Sequence, residues 1–359
     1  MDAAELLLDG EAESVLSRHC SHPILVAGGV WVRCGSRAKS RCPSCAVLYR
    51  NDWAAIARSG VFDGPVQDFR FYLLTLTAPS FGAVHRVPRS ADARRHSCRC
   101  GVVHTANDGL RGVPLDPASY DYAGQVAWNR DAGVLWDRTR RRIRDRWDSL
   151  EYFIVREWQD RGVLHVHALV RVALSEAPSA SELGMAARSA EALSKIDESL
   201  VGWGAQFQCD AFKADGNGAR TIWYLSKALN YVMKDIASDG VGGLDQTWDH
   251  LAALQRAARS MRCCATCDPA NCLRRVHMNW GSRSHVVSAS RRTVHRTGWS
   301  FSGLTRTVQR RLRKEWFDAH GAPVDLVADA AARERVWWAL EWLSDRSRRQ
   351  REARGTAVP

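Results

Sequence analysis

The chain has 359 residues, 45% of them apolar and 25% charged, which excludes wholesale disorder and predicts two domains or one domain with insertions. Its 51 Lys and Arg against 39 Asp and Glu leave a net charge of +12, a balance that points to a polyanionic partner, nucleic acid first. The longest apolar run, Ile24 to Val32, is too short for a bilayer, and the acidic start Met-Asp-Ala-Ala-Glu-Leu reads as neither signal peptide nor presequence, so a cytoplasmic protein without a membrane partner is expected.

In chain order, residues 1–65 read as a Cys-rich, turn-rich N-terminal module. Eleven cysteines without an export signal favour thiolate–metal sites over disulfides. Cys34-x7-Cys42-Pro-Ser-Cys45, with Cys20 upstream, can make a four-cysteine structural zinc site. Residues 69–77, Phe-Arg-Phe-Tyr-Leu-Leu-Thr-Leu-Thr, read as a buried strand ended by Ala-Pro-Ser. Residues 83–122 are loop-like and hold a weaker chelate, His96-x-Cys98-x-Cys100-x3-His104. A helix over 123–148 ends in an Arg-dense stretch, and Glu151 to Val172 reads as a hairpin broken at Asp160-Arg161-Gly162. A helix over 179–200 opens at Ser179 or Ser181, and a short strand over 205–212 takes Cys209 into its core. A further helix covers 219–237. Residues 260–300 form a second Cys-rich module. There Cys264-x2-Cys267-x4-Cys272-x4-His277 can hold zinc, with Cys263 as a competing ligand, and an Arg-rich loop containing Arg291 and Arg292 follows. Residues 301–359 read as a basic, helical tail, which leaves 66–259 as the central domain.

Two constellations carry chemistry. In Val163-Leu-His-Val-His-Ala-Leu-Val-Arg, Leu164, Val166, Ala168 and Val170 share the core face, and His165 and His167 share the other. Two imidazoles at i and i+2 of a strand can grip one metal ion. A three-residue loop with Gly162 at the position needing φ > 0 pairs Gln159 with Val163, Glu157 with His165 and Val155 with His167. Glu157 then joins a His-His-Glu site with Gln159 beside it as a possible further ligand, whereas a two-residue loop would turn Glu157 to the opposite face. A His/His/Glu set also suits zinc hydrolases.

The second constellation is the helix over 219–237. Ile222, Leu225, Leu229, Val232, Met233 and Ile236 line one side, and Tyr224, Lys227, Tyr231 and Lys234 the other. Each tyrosine opens a Tyr-x-x-Lys. The ammonium one turn on favours phenolate and offers charge to a phosphate. The basic runs Arg138 to Arg146, Arg291-Arg292 and Arg306 to Lys314, together with Arg161 in the hairpin turn, are the candidates for phosphate contacts.

Four segments together resemble the HUH-type rolling-circle replication initiators of actinomycete plasmids. They are Leu74 to His85, Tyr120-Asp-Tyr-Ala-Gly-Gln-Val-Ala-Trp-Asn129, Arg156 to Arg171 around His-Val-His, and the Tyr224-Leu-Ser-Lys and Tyr231-Val-Met-Lys pair. The resemblance implies an α+β HUH endonuclease fold: a central antiparallel sheet flanked by helices, the His-x-His strand in its middle and the tyrosine helix across its open face. It implies a Mg²⁺ or Mn²⁺ on Glu157, His165 and His167. It also implies attack by a tyrosine on one strand of plasmid origin DNA, with a 5′-phosphotyrosine and a 3′-OH primer as products, and a host helicase and DNA polymerase as partners in the bacterial cytoplasm. The family runs its tyrosines four apart, but here Ala228-Leu229-Asn230 separates the two halves. Tyr231-Val-Met-Lys-Asp matches the nucleophile setting of related initiators, so Tyr231 ranks first and Tyr224 second. An HUH transposase or mobilisation relaxase would use the same chemistry, and a non-enzymatic zinc-containing DNA-binding regulator would show none of it.

Overall fold

In the computed structural model the described residues are 20–22, 24–26, 30–36, 41–62, 66–88, 90–91, 96–106, 108–215, 245–277, 280–282 and 287–290, with Trp299 and positions 308, 311, 315 and 319. They fall into two compact units. One takes the described residues up to Ala55 and those beyond Gly303, and the other takes those from Ile56 to Ser302. The helix expected over 219–237 and most of the basic tail lie outside the described residues.

In the first unit a short antiparallel pair, β1 (Ile24–Val26) and β2 (Val30–Val32), precedes helix α1 (Pro43–Phe62), whose residues from Ile56 on belong to the second unit. Pro43 sits at the first helical position, where its missing N–H costs nothing, and the 20 residues of α1 contain no other proline.

The second unit is built on a five-stranded antiparallel sheet. Phe69–Leu76 forms β3, Glu151–Trp158 β4 and Leu164–Ala173 β5. Phe207–Phe212 forms β8 and Val287–Ala289 β9, and the order across the sheet is β8-β3-β5-β4-β9. β5 is central, and its alternation decides what the sheet faces. Leu164, Val166, Ala168 and Val170 are all 5% exposed or less and pack with Leu74, Leu76 and Ile154 into the main core.

Helix α2 (Tyr122–Arg144) covers that core with Trp128, Ala132, Leu135, Trp136 and Ile143. Asp121 caps it by accepting from Gly124 N at 2.7 Å, and three arginines in its last turn suit the negative end of the helix dipole. Trp136 meets Tyr152 edge-on at 5.3 Å between ring centroids, and Trp128 meets Trp203 at 5.7 Å.

The helix expected over 179–200 is shorter. Helix α3 (Ala180–Arg188) begins at Ser179, which forms a reciprocal capping box with Glu182, but it stops at Ser189. The remainder is a hairpin of β6 (Glu191–Leu193) and β7 (Leu200–Gly202). Leu193 and Leu200 pair in it and are 60% and 65% exposed, while the next pair, Ala192 and Val201, is buried in the main core, an alternation of period two rather than of a helix. Helix α4 (Asp245–Ser260) packs on α2 through Leu251, Leu254 and Val126. β9 lies within the stretch expected to be Arg-rich loop, recruited as an edge strand by β4. Cys209 is half-buried on edge strand β8, packed against the core rather than inside it, and burial pushes its thiol up to about 12.

Candidate active site

The geometry of the site begins at the hairpin turn. Gln159 N donates to Val163 O at 2.9 Å and Gly162 N to Gln159 O at 2.8 Å. They close the three-residue turn Asp160-Arg161-Gly162, with Gly162 at φ +75°. From there β4 and β5 pair Glu157 with His165 and Val155 with His167, while β3 pairs Thr75 with His167. Period two then puts Thr75, Glu157, His165 and His167 on one face, opposite the α2 core.

The side chains meet in a connected set. Glu157 Oε2 lies 3.0 Å from His167 Nε2, and Thr75 Oγ1 lies 3.0 Å from His167 Nδ1. The carboxylate thus reaches diagonally to His167 and not straight across to its register partner. His165 stands edge-to-face on His167 with ring centroids 4.5 Å apart, and its Nδ1 meets Gln159 Nε2 at 3.2 Å. Gln159 Oε1 accepts from Arg161 Nε at 3.2 Å, so Gln159 orients His165 rather than standing free as a ligand. His167 is 2% exposed and Glu157 8%, whereas His165 is half-buried.

These residues fit a divalent ion. Two ligands cis on an octahedral ion at about 2.1 Å stand about 3.0 Å apart, which is the Glu157–His167 separation. One carboxylate and two imidazoles form a donor set shared by Mg²⁺, Mn²⁺ and Zn²⁺. His167, Glu157 and His165 would hold the ion, with Thr75 fixing the ring of His167 from behind.

Helix α2 locks the turn from the core side. Asn129, 2% exposed, donates to Gly162 O (2.9 Å) and to Trp280 O (3.0 Å) and accepts from Leu164 N (3.0 Å). Gln125 Nε2 donates to Arg161 O at 2.8 Å while its Oε1 accepts from the Tyr120 hydroxyl. Burial pushes the Tyr120 phenol up to about 12 and pulls the Arg161 guanidinium below the ordinary arginine range. The segment Tyr120 to Asn129 therefore acts on the hairpin through its polar side chains. Arg161, a candidate phosphate contact, has Nη2 3.5 Å from Pro79 O and lies partly inside the fold. Tyr224, Lys227, Tyr231 and Lys234, and likewise Arg291 and Arg292, lie outside the described residues.

Three groups of cysteines and histidines each bring four ligand atoms within 4.8 Å of one another and can hold a structural metal such as zinc. In the first unit these are Cys20, Cys34, Cys42 and Cys45. Cys20 Sγ is 4.0 Å from Cys42 Sγ and 3.7 Å from Cys45 Sγ, and backbone N–H groups of Ser21, Cys34, Ser36 and Cys45 point at the sulfurs. Hydrogen bonding from the neighbouring thiols, Cys20 first, pulls Cys42 well below the usual thiol range.

The second group is Cys263, Cys267, Cys272 and His277. Cys263 takes the place expected for Cys264. The chain leaves α4 so that Cys263 is 3% exposed, while Cys264 turns to Thr266 Oγ1 at 3.7 Å. His277 Nδ1 donates to Ala258 O at 2.9 Å, which leaves Nε2 for Cys267 Sγ at 3.4 Å. The third group joins Cys98, Cys100 and His104 to His85, and the exposed His96 is not part of it. Thr75 and His85 fall inside the segment Leu74 to His85 that carries part of the resemblance, but neither was assigned a role, and the 13 residues from His85 to Cys98 form no recognisable chelate spacing.

The chain is similar to known proteins along most of its length. The family model described as "RepSA: Replication initiator protein, pSAM2" matches residues 9–354. A "Replication initiator protein" of Streptomyces ambofaciens is 32% identical over 325 residues, covering 76% of this chain and 69% of the relative. No solved structure matches the chain. With a family match over nearly all of the sequence and a relative this similar, the chain belongs to the RepSA family of plasmid replication initiator proteins.

Proposed function

We propose that this initiator nicks and rejoins one strand of plasmid origin DNA through a tyrosine, on an HUH-type endonuclease domain. The observation that carries the reading is the His-x-His strand with Glu157 Oε2 3.0 Å from His167 Nε2 on the sheet face opposite the core. Glu157, His165 and His167 would hold a Mg²⁺ or Mn²⁺, which would supply Lewis-acid polarisation of a scissile phosphate. Glu157 and His167 hold their donor atoms in place through Thr75 and the strand register, and His165 supplies a third donor oriented by Gln159. The phenol of Tyr231 attacks the phosphorus, the 3′-oxygen leaves as a free 3′-OH for a host polymerase, and the 5′-phosphate stays on the tyrosine. The phosphodiester energy is thereby conserved for rejoining. Lys227 and Lys234, four residues before and three residues after Tyr231 in the sequence, favour its phenolate. Tyr224, flanked by Lys227 alone, takes the second transfer. The protein acts in the bacterial cytoplasm, with a host helicase opening the duplex and the zinc-holding clusters serving structure.

Incubation with single-stranded origin DNA and Mn²⁺ should give a covalent protein–DNA species that survives denaturation. Tyr231→Phe should abolish the initial adduct, while Tyr224→Phe should leave initial nicking and impair strand transfer. An adduct mapped to Tyr224 alone would reverse the assignment, and an adduct on neither would sink the mechanism.

A further inference from the structure

Among its described residues the connection from β3 to α2 has no helix or strand of its own, yet it is tied across its width. Val84 bridges Pro114, His85 N donates to Val113 O at 2.8 Å, and Leu115 N donates to Ala83 O at 2.9 Å. At its centre His85 Nδ1 lies 3.2 Å from His104 Nε2 and 3.9 Å from Cys98 Sγ, and Cys100 Sγ lies 3.3 Å from His104 Nε2. A tetrahedral zinc ion with Zn–N of about 2.0–2.1 Å and Zn–S of about 2.3 Å sets its ligands roughly 3.3 to 3.8 Å apart, and these separations cluster around that range.

The protonation of His104 argues the same way. Its Nδ1 lies 2.5 Å from Asp108 Oδ2, and a carboxylate only accepts, so Nδ1 carries the proton. Nε2 of the buried His104 then presents a lone pair to one imidazole and one thiol. A carboxylate behind the far nitrogen of a histidine is the outer support of metal-bound imidazoles. Cys98 Sγ accepts from Arg86 N at 3.3 Å, a bond that suits a thiolate.

We infer that His85, Cys98, Cys100 and His104 hold a zinc ion, and that this ion clamps the loop against the hairpin turn that carries the candidate active site. Two sulfurs and two nitrogens in a closed tetrahedron select zinc over the harder Mg²⁺ or Mn²⁺. The clamp runs through a short path. Asp108, which holds His104, also accepts from Leu110 N at 3.0 Å and so sets the turn leading to Gly112. Gly112, at φ +77°, lies flat on the hairpin turn, where an added Cβ would come within 2.6 Å of Arg161 N. Thr247 of α4 braces the same loop by donating to Gly109 O at 2.8 Å. The ion would thus hold the far side of a turn whose near side Asn129 and Gln125 hold.

The inference stands apart from the strand-transfer reading and is tested without measuring it. Full-length protein purified without chelator should carry three zinc ions, one for each Cys/His group. After exchange to ¹¹³Cd it should give three resonances, with the most shielded assigned to the two-sulfur, two-nitrogen set. His85→Ala should lose that resonance alone and speed amide exchange at Asp160, Arg161 and Gly162. Asp108→Asn should weaken the third metal about tenfold or more. Two resonances in the wild-type protein would overturn the site, whether or not the variants fold. A third resonance persisting in His85→Ala would remove His85 from it, and its loss with unchanged hairpin exchange would overturn the clamp.

Discussion

His167 is held at both nitrogens, by Thr75 at 3.0 Å and by Glu157 at 3.0 Å, so turning its ring would break both contacts. On the proposed mechanism His167 would serve metal ligation, while affinity for DNA would come mainly from arginine–phosphate contacts on a chain of net charge +12. His165→Ala or His167→Ala should therefore abolish nicking and leave origin binding, read by a gel shift, nearly intact. Loss of both in a folded variant would favour a structural role for the histidines. Thr75→Val keeps the strand shape and removes the hydroxyl. It should weaken activating Mn²⁺ by about 10–100-fold, read as a higher Mn²⁺ concentration for half-maximal nicking with the maximal rate largely preserved.

At the scale of the element, the hairpin depends on one glycine. Gly162 adopts φ +75°, and a Cβ there would approach Leu254 Cδ1 to 2.7 Å. Gly162→Ala should cost about 1–3 kcal/mol in a denaturant melt, and the larger consequence should be for the site. A turn that relaxes by one residue sends Glu157 to the core face, so nicking should fall further than stability does. A variant as active as wild type would show that the turn tolerates a side chain. The neighbouring pair Arg171–Glu151 lies on the same face, with Arg171 Nε donating to Glu151 Oε2 at 2.7 Å, and both residues are buried. Removing either partner breaks a buried ion pair and should destabilise the sheet.

At the scale of the whole molecule, pH and salt report on different parts. His250 of α4 is buried against Tyr120 and Tyr122 and donates from Nε2 to Arg161 O at 3.0 Å. Burial holds its imidazole below the ordinary histidine range, so the folded state resists a proton that the unfolded chain accepts. Its contribution is present above the unfolded value, about pH 6.5, and is lost as pH falls below it toward the depressed folded value. His250→Gln, which can still donate to Arg161 O, should show a smaller loss of melting temperature between neutral and mildly acid pH than wild type. An equal loss would place the acid sensitivity elsewhere. Origin binding should weaken steeply with salt, because each neutralised phosphate adds about −0.9 to the slope of log K against log salt for duplex DNA. A nearly flat dependence would argue against nucleic acid as the main partner.

The His-x-His hairpin was legible from residues alone because its determinants are local. A three-residue turn with glycine in the left-handed region and a period of two set every partner from Gln159–Val163 outward. The strand over 69–77 and the start of α2 were legible for the same reason. The second half of the expected helix over 179–200 is a hairpin that buries Ala192 and Val201 in the core and leaves Leu193 and Leu200 outside, a choice of face that no local propensity reports. Long-range placement chose Cys263 over Cys264 and brought His85 to Cys98 across 13 residues. It also set Thr75 on His167 across 92. Those choices rest on which loops the sheet and α2 press together, and the free energy that decides them is burial and hydrogen-bond satisfaction summed over distant segments rather than anything carried in the spacing of one.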